Sequence, residues 1–237
     1  MHQTPTNQEG TSVLASLRAL MPARPLQLTE ALKLAELQAD RLLRLRGVND
    51  LPVPTELVSG LPRIIIEPDP DLPSQAASGA SDWDSYRRAW VISINPSEPA
   101  TRQRFTVLHE YKHILDHYQP GLARPLPTTV YGLDPVEYVA DYFAGCVLMP
   151  KRLVKAAYFD GIQRARDLAE LFDVSPRAMQ VRLDQLGLTR VSDEPPAQTP
   201  RSRLRPPVRR PAIGTRYHRP LSRTPFAAAR IQEAATV

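Results

Sequence analysis

Cysteine is all but missing: Cys146 is the only one in 237 residues, so no internal disulfide can form. Aromatic residues reach only 6%, yet hydrophobic residues reach 42%, and a chain of this length buries an ordinary core on those terms without staples. Long apolar runs are absent too. None approaches the roughly 18 residues needed to span a bilayer, and no basic segment followed by an uninterrupted apolar stretch marks a signal peptide near the start. The expectation is a cytoplasmic protein of one or two domains with no membrane partner.

The net charge of +5 suggests a nucleic-acid binder until it is located. Residues 190–237 hold ten arginines against Asp193, Glu194 and Glu233, a balance of +7, which leaves 20 basic against 22 acidic residues over 1–189. The larger part is mildly acidic. Eight prolines from Ser192 onward, with little apolar content before Phe226, predict a disordered Arg/Pro-rich tail over 191–237. Only that tail offers a weak, nonspecific nucleic-acid contact, and a solvated terminus accounts for it equally well.

What the chain does have is His109-Glu110-Tyr111-Lys112-His113. On an α-helix, residues i and i+4 lie one above the other about 6 Å apart, so the two imidazoles can converge on one ion. Glu110, one step round, then points at the water such an ion carries. Zn²⁺ held by neutral nitrogens at about 2.0–2.1 Å lowers the pKa of that water to roughly 7, and a nearby carboxylate takes its proton as it attacks a carbonyl. Hydrolysis of a peptide bond without a covalent intermediate is the chemistry implied. With 5 histidines and 11 glutamates in the chain, chance would write this pattern about 0.005 times. Phe105, Leu108, Ile114 and Leu115 give the helix an apolar face, leaving its polar edge for a cleft. Lys112, one position before His113, is expected to project about 100° from that ring and reach solvent.

Local signals organise the rest. Residues 1–26 are poorly patterned, apart from a short helix at Val13–Leu20 stopped before Pro22. Thr29 reads as the N-cap of a helix that runs to about Arg46 and is closed by Gly47. Residues 63–67 and 89–95 read as strands, with a Pro/Ser/Gly/Asp-rich loop at 68–82 between them. The His-Glu helix is expected at Ala100–Tyr118. A second starts where Asp134 caps and Pro135 fills the first turn, and it runs to Met149 before Pro150. Cys146 falls in its apolar run and reads as core. Further on, Ser175, Pro176 and Gly187 bracket the second of two short helices joined by a tight Asp173-Val174-Ser175 turn, a helix-turn-helix pattern.

A catalytic zinc has three protein ligands and one open position. His117 is near, but it shares the first helix and drifts about 40° round it. Glu137, on the next helix, approaches from the opposite side and is the favoured third ligand. Asp141, one turn further, is placed to accept the other ring N–H of a ligating histidine, His109 first. Asp116 and Gln119 stand where the metzincin pattern has Gly and His, so that spacing is excluded.

The run from Arg104 to Pro150 resembles the ImmA/IrrE-type metallopeptidases: HExxH is followed by Glu137-x-x-Ala140-Asp141-x-Phe143-Ala144 and by Leu148-Met149-Pro150. The likeness extends over roughly residues 28–190, including a Val-Ser-x-x-Ala-Met-x-x-Arg-Leu run in the helix-turn-helix. It implies an α+β fold, a zincin-like metallopeptidase core of helices packed on a small antiparallel sheet at 27–150, then a helix-turn-helix-like subdomain at 151–190. It implies that His109, His113 and Glu137 hold Zn²⁺, with Mn²⁺ as the other candidate, and that Glu110 is the base. It also implies a substrate class: helix-turn-helix repressors cleaved to induce stress-response or mobile-element genes. Lys112 stands where many members have Gly, and the Arg/Pro tail replaces a sensor-like C-terminal domain.

A competing reading is a DNA-binding transcriptional regulator with a structural or vestigial metal site. Its recognition helix would offer Arg177, Gln180, Arg182 and Gln185, a modest polar set without a dense basic stripe. Tyr118, Tyr131, Tyr138 and Tyr142 are all candidates to stabilise an oxyanion.

Overall fold

Ala31, Leu34, Ala35, Gln38, Ala39, Leu42 and Leu43 recur every three or four positions and form the buried stripe of an 18-residue helix, α2 (Leu28–Leu45). In this computed structural model, which describes residues 9–72, 78–117 and 134–188, that stripe lies against α5 (Pro135–Leu148), the most enclosed helix. Alanines at every fourth position let the two backbones approach closely. The expected cap at Thr29 is displaced to Gln27, because Glu30 reaches back to accept from the Gln27 N–H (2.9 Å) and is itself held by Arg24 (2.7 Å). At the other end Gly47, at φ +64°, closes the helix as the sequence implies.

The arrangement is α+β: helices with a small open three-stranded sheet, followed by more helices. Ahead of α2 comes α1 (Glu9–Arg18), which starts earlier and ends sooner than Val13–Leu20. Its Val13 and Leu17 are buried, and its Arg18 donates to the main-chain oxygens of Ile114 and Leu115 (2.6 and 3.2 Å). A single turn, α3 (Glu56–Ser59), leads to β1 (Ile64–Pro68), β2 (Gly79–Asp84) and β3 (Ala89–Ile94).

The sheet is not purely antiparallel. β3 lies at the centre, antiparallel to β2 and parallel to β1. The reason is β2, which occupies part of the stretch expected to be a loop. Gly-Ala-Ser-Asp-Trp-Asp has little strand propensity by itself. It is drawn into the sheet by a tight turn in which Asp84 accepts from the N–H groups of Tyr86 (2.8 Å) and Arg87 (2.9 Å), folding the chain back onto β3. With the hairpin on one side of β3, β1 takes the other side in the same direction as β3.

Helix α4 (Ala100–Asp116) crosses the inner face of this sheet and packs on α5. Its guanidinium-bearing Arg104 donates to the Asp173 carboxylate, the Asp173 main-chain oxygen and the Val53 carbonyl. α6 (Lys151–Phe159), α7 (Ala165–Phe172) and α8 (Pro176–Leu186) complete the described chain. Ser175 Oγ accepts from the Ala178 N–H (3.1 Å), and Asp173 and Gly187 take left-handed conformations, so the second helix of the pair begins and ends where the sequence places it. One apolar cluster runs through Leu17, Leu42, Ile92, Leu108, Phe143 and Met179, and all described residues fall in one compact unit, 1–190. Cys146 is buried within it. Among the described residues no helix is long and apolar enough to cross a membrane. The Arg/Pro tail, Tyr118 and Tyr131 lie outside the described residues.

Candidate metal centre

His109 and His113 sit one turn apart on the edge of α4 that faces α5, and Glu137 stands in the first turn of α5 opposite them. Asp134 and Pro135 start α5 just upstream: Asp134 Oδ1 accepts from the Val136 N–H at 2.9 Å, which fixes the turn that carries Glu137. The three side chains meet. His109 Nε2 lies 3.0 Å from His113 Nε2 and 3.2 Å from Glu137 Oε2, and His113 Nε2 lies 3.5 Å from Glu137 Oε1.

Those separations test whether the group of donors fits an ion. Bonds of about 2.0–2.1 Å in tetrahedral directions require ligand atoms about 3.3 Å apart. The observed triangle brackets that value. Protonation makes the same point. Asp141 Oδ1 lies 2.8 Å from His109 Nδ1, and since a carboxylate only accepts, Nδ1 carries the hydrogen. A neutral His109 then turns a bare lone pair at Nε2 toward a carboxylate oxygen. Something positive has to lie between them. Without a metal, the proton itself is that charge: burial opposes it, but the hydrogen bonds to Asp141 and Glu137 and the nearby Glu110 raise His109 to about 9. His113 is lowered by burial and by the charge on His109, and Glu137 is lowered by its bond to His109 against the cost of burial. Two nitrogens and a carboxylate thus stand close enough together to be able to hold a divalent cation.

Glu110 is buried beside the cluster, and its Oε2 accepts from Ser81 Oγ at 2.9 Å. Sequence reasoning missed Ser81. The signal was there in alternation, Gly79, Ser81 and Trp83 on one face of β2, but it was hidden in a stretch that reads as loop. Gly79 serves the same contact. A β-carbon there would fall 2.9 Å from the Ser93 carbonyl and 3.3 Å from Glu110 Cγ, and would collide with Thr106, so only glycine lets β2 lie this close to α4.

One expectation is corrected. Lys112 does not reach solvent: it is 2% exposed, and its ammonium donates to Asp116 Oδ1 at 2.6 Å. α4 is covered on most of its circumference, so the side chain lies inside and takes its counter-charge one turn on. His117, the less favoured third ligand, stands outside the cluster, in keeping with the preference for Glu137. It caps α4 with its ring edge-on to Trp90, centroids 4.6 Å apart. Of the four tyrosines, Tyr142 turns instead to Arg182, whose guanidinium lies 5.7 Å from its ring, and Tyr138 follows Glu137 on α5.

Residues 69–184 match the IrrE N-terminal-like domain, a peptidase family. The matched span includes β2, β3 and all the residues of the cluster. Among solved structures, a Mycobacterium tuberculosis transcriptional regulator is similar at 16% identity with a TM-score of 0.46, over 73% of this chain and 51% of that one. The chain thus spans about half the length of that protein. No curated protein matches it.

Proposed function

We propose that this chain, with its IrrE N-terminal-like domain, is a zinc-dependent endopeptidase. The observation that carries the reading is the triangle of His109, His113 and Glu137 with the Glu110 carboxylate beside it. In this reading residues 27–150 are a zincin-like catalytic domain, 151–190 a helix-turn-helix-like subdomain that supports it, and 191–237 a tail outside the chemistry. The protein acts in the cytoplasm.

Each side chain then has a task. His109, His113 and Glu137 hold the ion, and Asp141 keeps the His109 proton on Nδ1 so that Nε2 stays free to bind. Zn²⁺ or Mn²⁺ bound there would act as a Lewis acid on the substrate carbonyl and acidify water. Glu110 is the general base: Ser81 occupies its Oε2, which leaves Oε1 to take a proton from the attacking water and deliver it to the leaving amine nitrogen.

The substrate we favour is a helix-turn-helix repressor, on the strength of the likeness to the ImmA/IrrE-type peptidases. The alternative, a DNA-reading regulator, loses support at α8. Arg182 is 1% exposed and donates to the Met149 carbonyl, and Gln180 is engaged with Asp184. Arg182 also donates to Gln185 Oε1 (3.3 Å), so three of the four residues a recognition helix would use are engaged within the protein. The deciding experiment incubates the purified full chain with a helix-turn-helix repressor encoded beside its gene. Cleavage is expected with Zn²⁺, and neither with chelator nor in Glu110→Gln, which still binds zinc; a Glu110→Gln variant that cuts as fast as wild type refutes the reading.

A further inference from the structure

β2 runs alongside α4, and its inward side chains mark off that helix in order. Gly79 lies over Thr106 and Glu110, and Ser81 reaches Glu110. Trp83 is next on the same face. Its indole meets Trp90, its register partner on β3, edge-on at 5.6 Å, and Trp90 in turn meets His117 at the end of α4. The two tryptophans are unequal. Trp90 is enclosed, while Trp83 keeps 43% of its surface exposed. Tyr86, in the hairpin turn, is also exposed but belongs to neither strand.

We infer that Trp83 is a specificity-determining residue: its open face is the wall of a subsite for a large apolar or aromatic side chain of the substrate peptide. The inference rests on the endopeptidase reading. Ser81 marks the position of the general base, and Trp83 stands one strand repeat beyond it, about 6.7 Å along β2. An extended peptide has the same repeat, so a carbonyl placed at Glu110 puts a side chain of a residue within two of the cleaved bond against Trp83. Trp90 and His117 back the indole and hold its orientation, so that little freedom is lost when a side chain stacks on it. A polar or small side chain gains nothing at this wall, whereas an aromatic one gains an edge-on or offset contact.

The test uses the zinc-loaded full chain and two pairs of hydroxamate probes, one pair extending each way from the metal-binding group. The members of a pair differ only in carrying benzyl or methyl side chains at the positions within two residues of that group. Trp83 and Trp90 are the only tryptophans, so their emission reports on the wall directly. In at least one pair the benzyl probe is expected to bind about tenfold more tightly than the methyl probe and to alter emission. Trp83→Ala should bring the two within about twofold while zinc affinity is unchanged, and Trp83→Phe should retain most of the preference. Zinc-dependent binding with no preference in wild type, or with a preference that survives in Trp83→Ala, overturns the inference and leaves the metal site standing. Probes that fail to bind, or that bind equally without zinc, overturn both.

Discussion

The α4/α5 pair and the α7/α8 pair are each two helices that carry polar residues, yet they use those residues in opposite ways. Between α4 and α5 the polar atoms are in surplus of acceptors: His109, His113 and Glu137 face one another at 3.0 to 3.5 Å, and only a proton or a metal ion set among them joins them. Around α8 each polar atom named has a partner. Arg182 gives Nε to Met149, Ser175 caps its own helix, and Gln180 joins Asp184. A surplus that only a cation can resolve indicates binding, whereas a closed set of hydrogen bonds indicates packing.

Metal removal is the strongest way to break this comparison. A ligand that binds only the folded state stabilises it, by about 4 kcal/mol at a thousand times its dissociation constant. Zinc titrated into metal-free full chain is expected to raise the unfolding midpoint accordingly, and His113→Ala should abolish the rise. A melting curve indifferent to zinc in the wild type removes the contrast altogether.

Arg182→Leu probes the other side. It strips the Met149 carbonyl of its buried donor, and a loss of about 2–3 kcal/mol is expected in denaturant unfolding. Zinc affinity should stay within about twofold of wild type, since the contact lies at the far end of α5 from Glu137. A large drop in zinc affinity would mean that the helix pairs work as one device, a coupling that the Arg104–Asp173 contact makes physically available.

Asp141→Asn is smaller and sharper. An amide can still meet His109 Nδ1, but it no longer offers a charge to hold the proton there. Zinc affinity is expected to fall about 10- to 100-fold, read by chelator competition, with the fold intact. An unchanged affinity would make Asp141 an ordinary exposed acid.

The sequence discloses these two regions unequally from the rest for a physical reason. Helix starts at Asp134-Pro135 and Ser175-Pro176 are written locally, because a cap needs only its next three residues. The His109, His113 and Glu137 cluster is legible because helical pitch converts spacing into direction, and one pair of histidines four positions apart plus one carboxylate on the next helix suffice. Ser81 and Trp83 are not legible. Their strand exists because a hairpin turn returns it to β3, a non-local pairing that Gly-Ala-Ser-Asp-Trp-Asp does not announce. Lys112 is missed similarly: its burial depends on what covers α4, and its partner Asp116 is visible only once burial is known. Gln27 displaced Thr29 as cap because Arg24, outside the helix, holds Glu30 in place.

The finest test sets the two caps against each other. Asp134 and Ser175 use the same device, an oxygen accepting from a first-turn N–H with proline next in the chain, and removing either by alanine should cost about 1 kcal/mol of stability. Their second effects differ. Fraying the start of α8 disturbs only packing, so Ser175→Ala should leave zinc affinity unchanged. Fraying the start of α5 loosens the turn that carries Glu137, so Asp134→Ala should lower zinc affinity as well, by a few-fold, since part of the binding energy is then spent on re-forming that turn. Equal losses of stability with equal zinc affinities would show that Glu137 finds the ion without help from its cap, and that the preorganisation of the site resides in α4 alone.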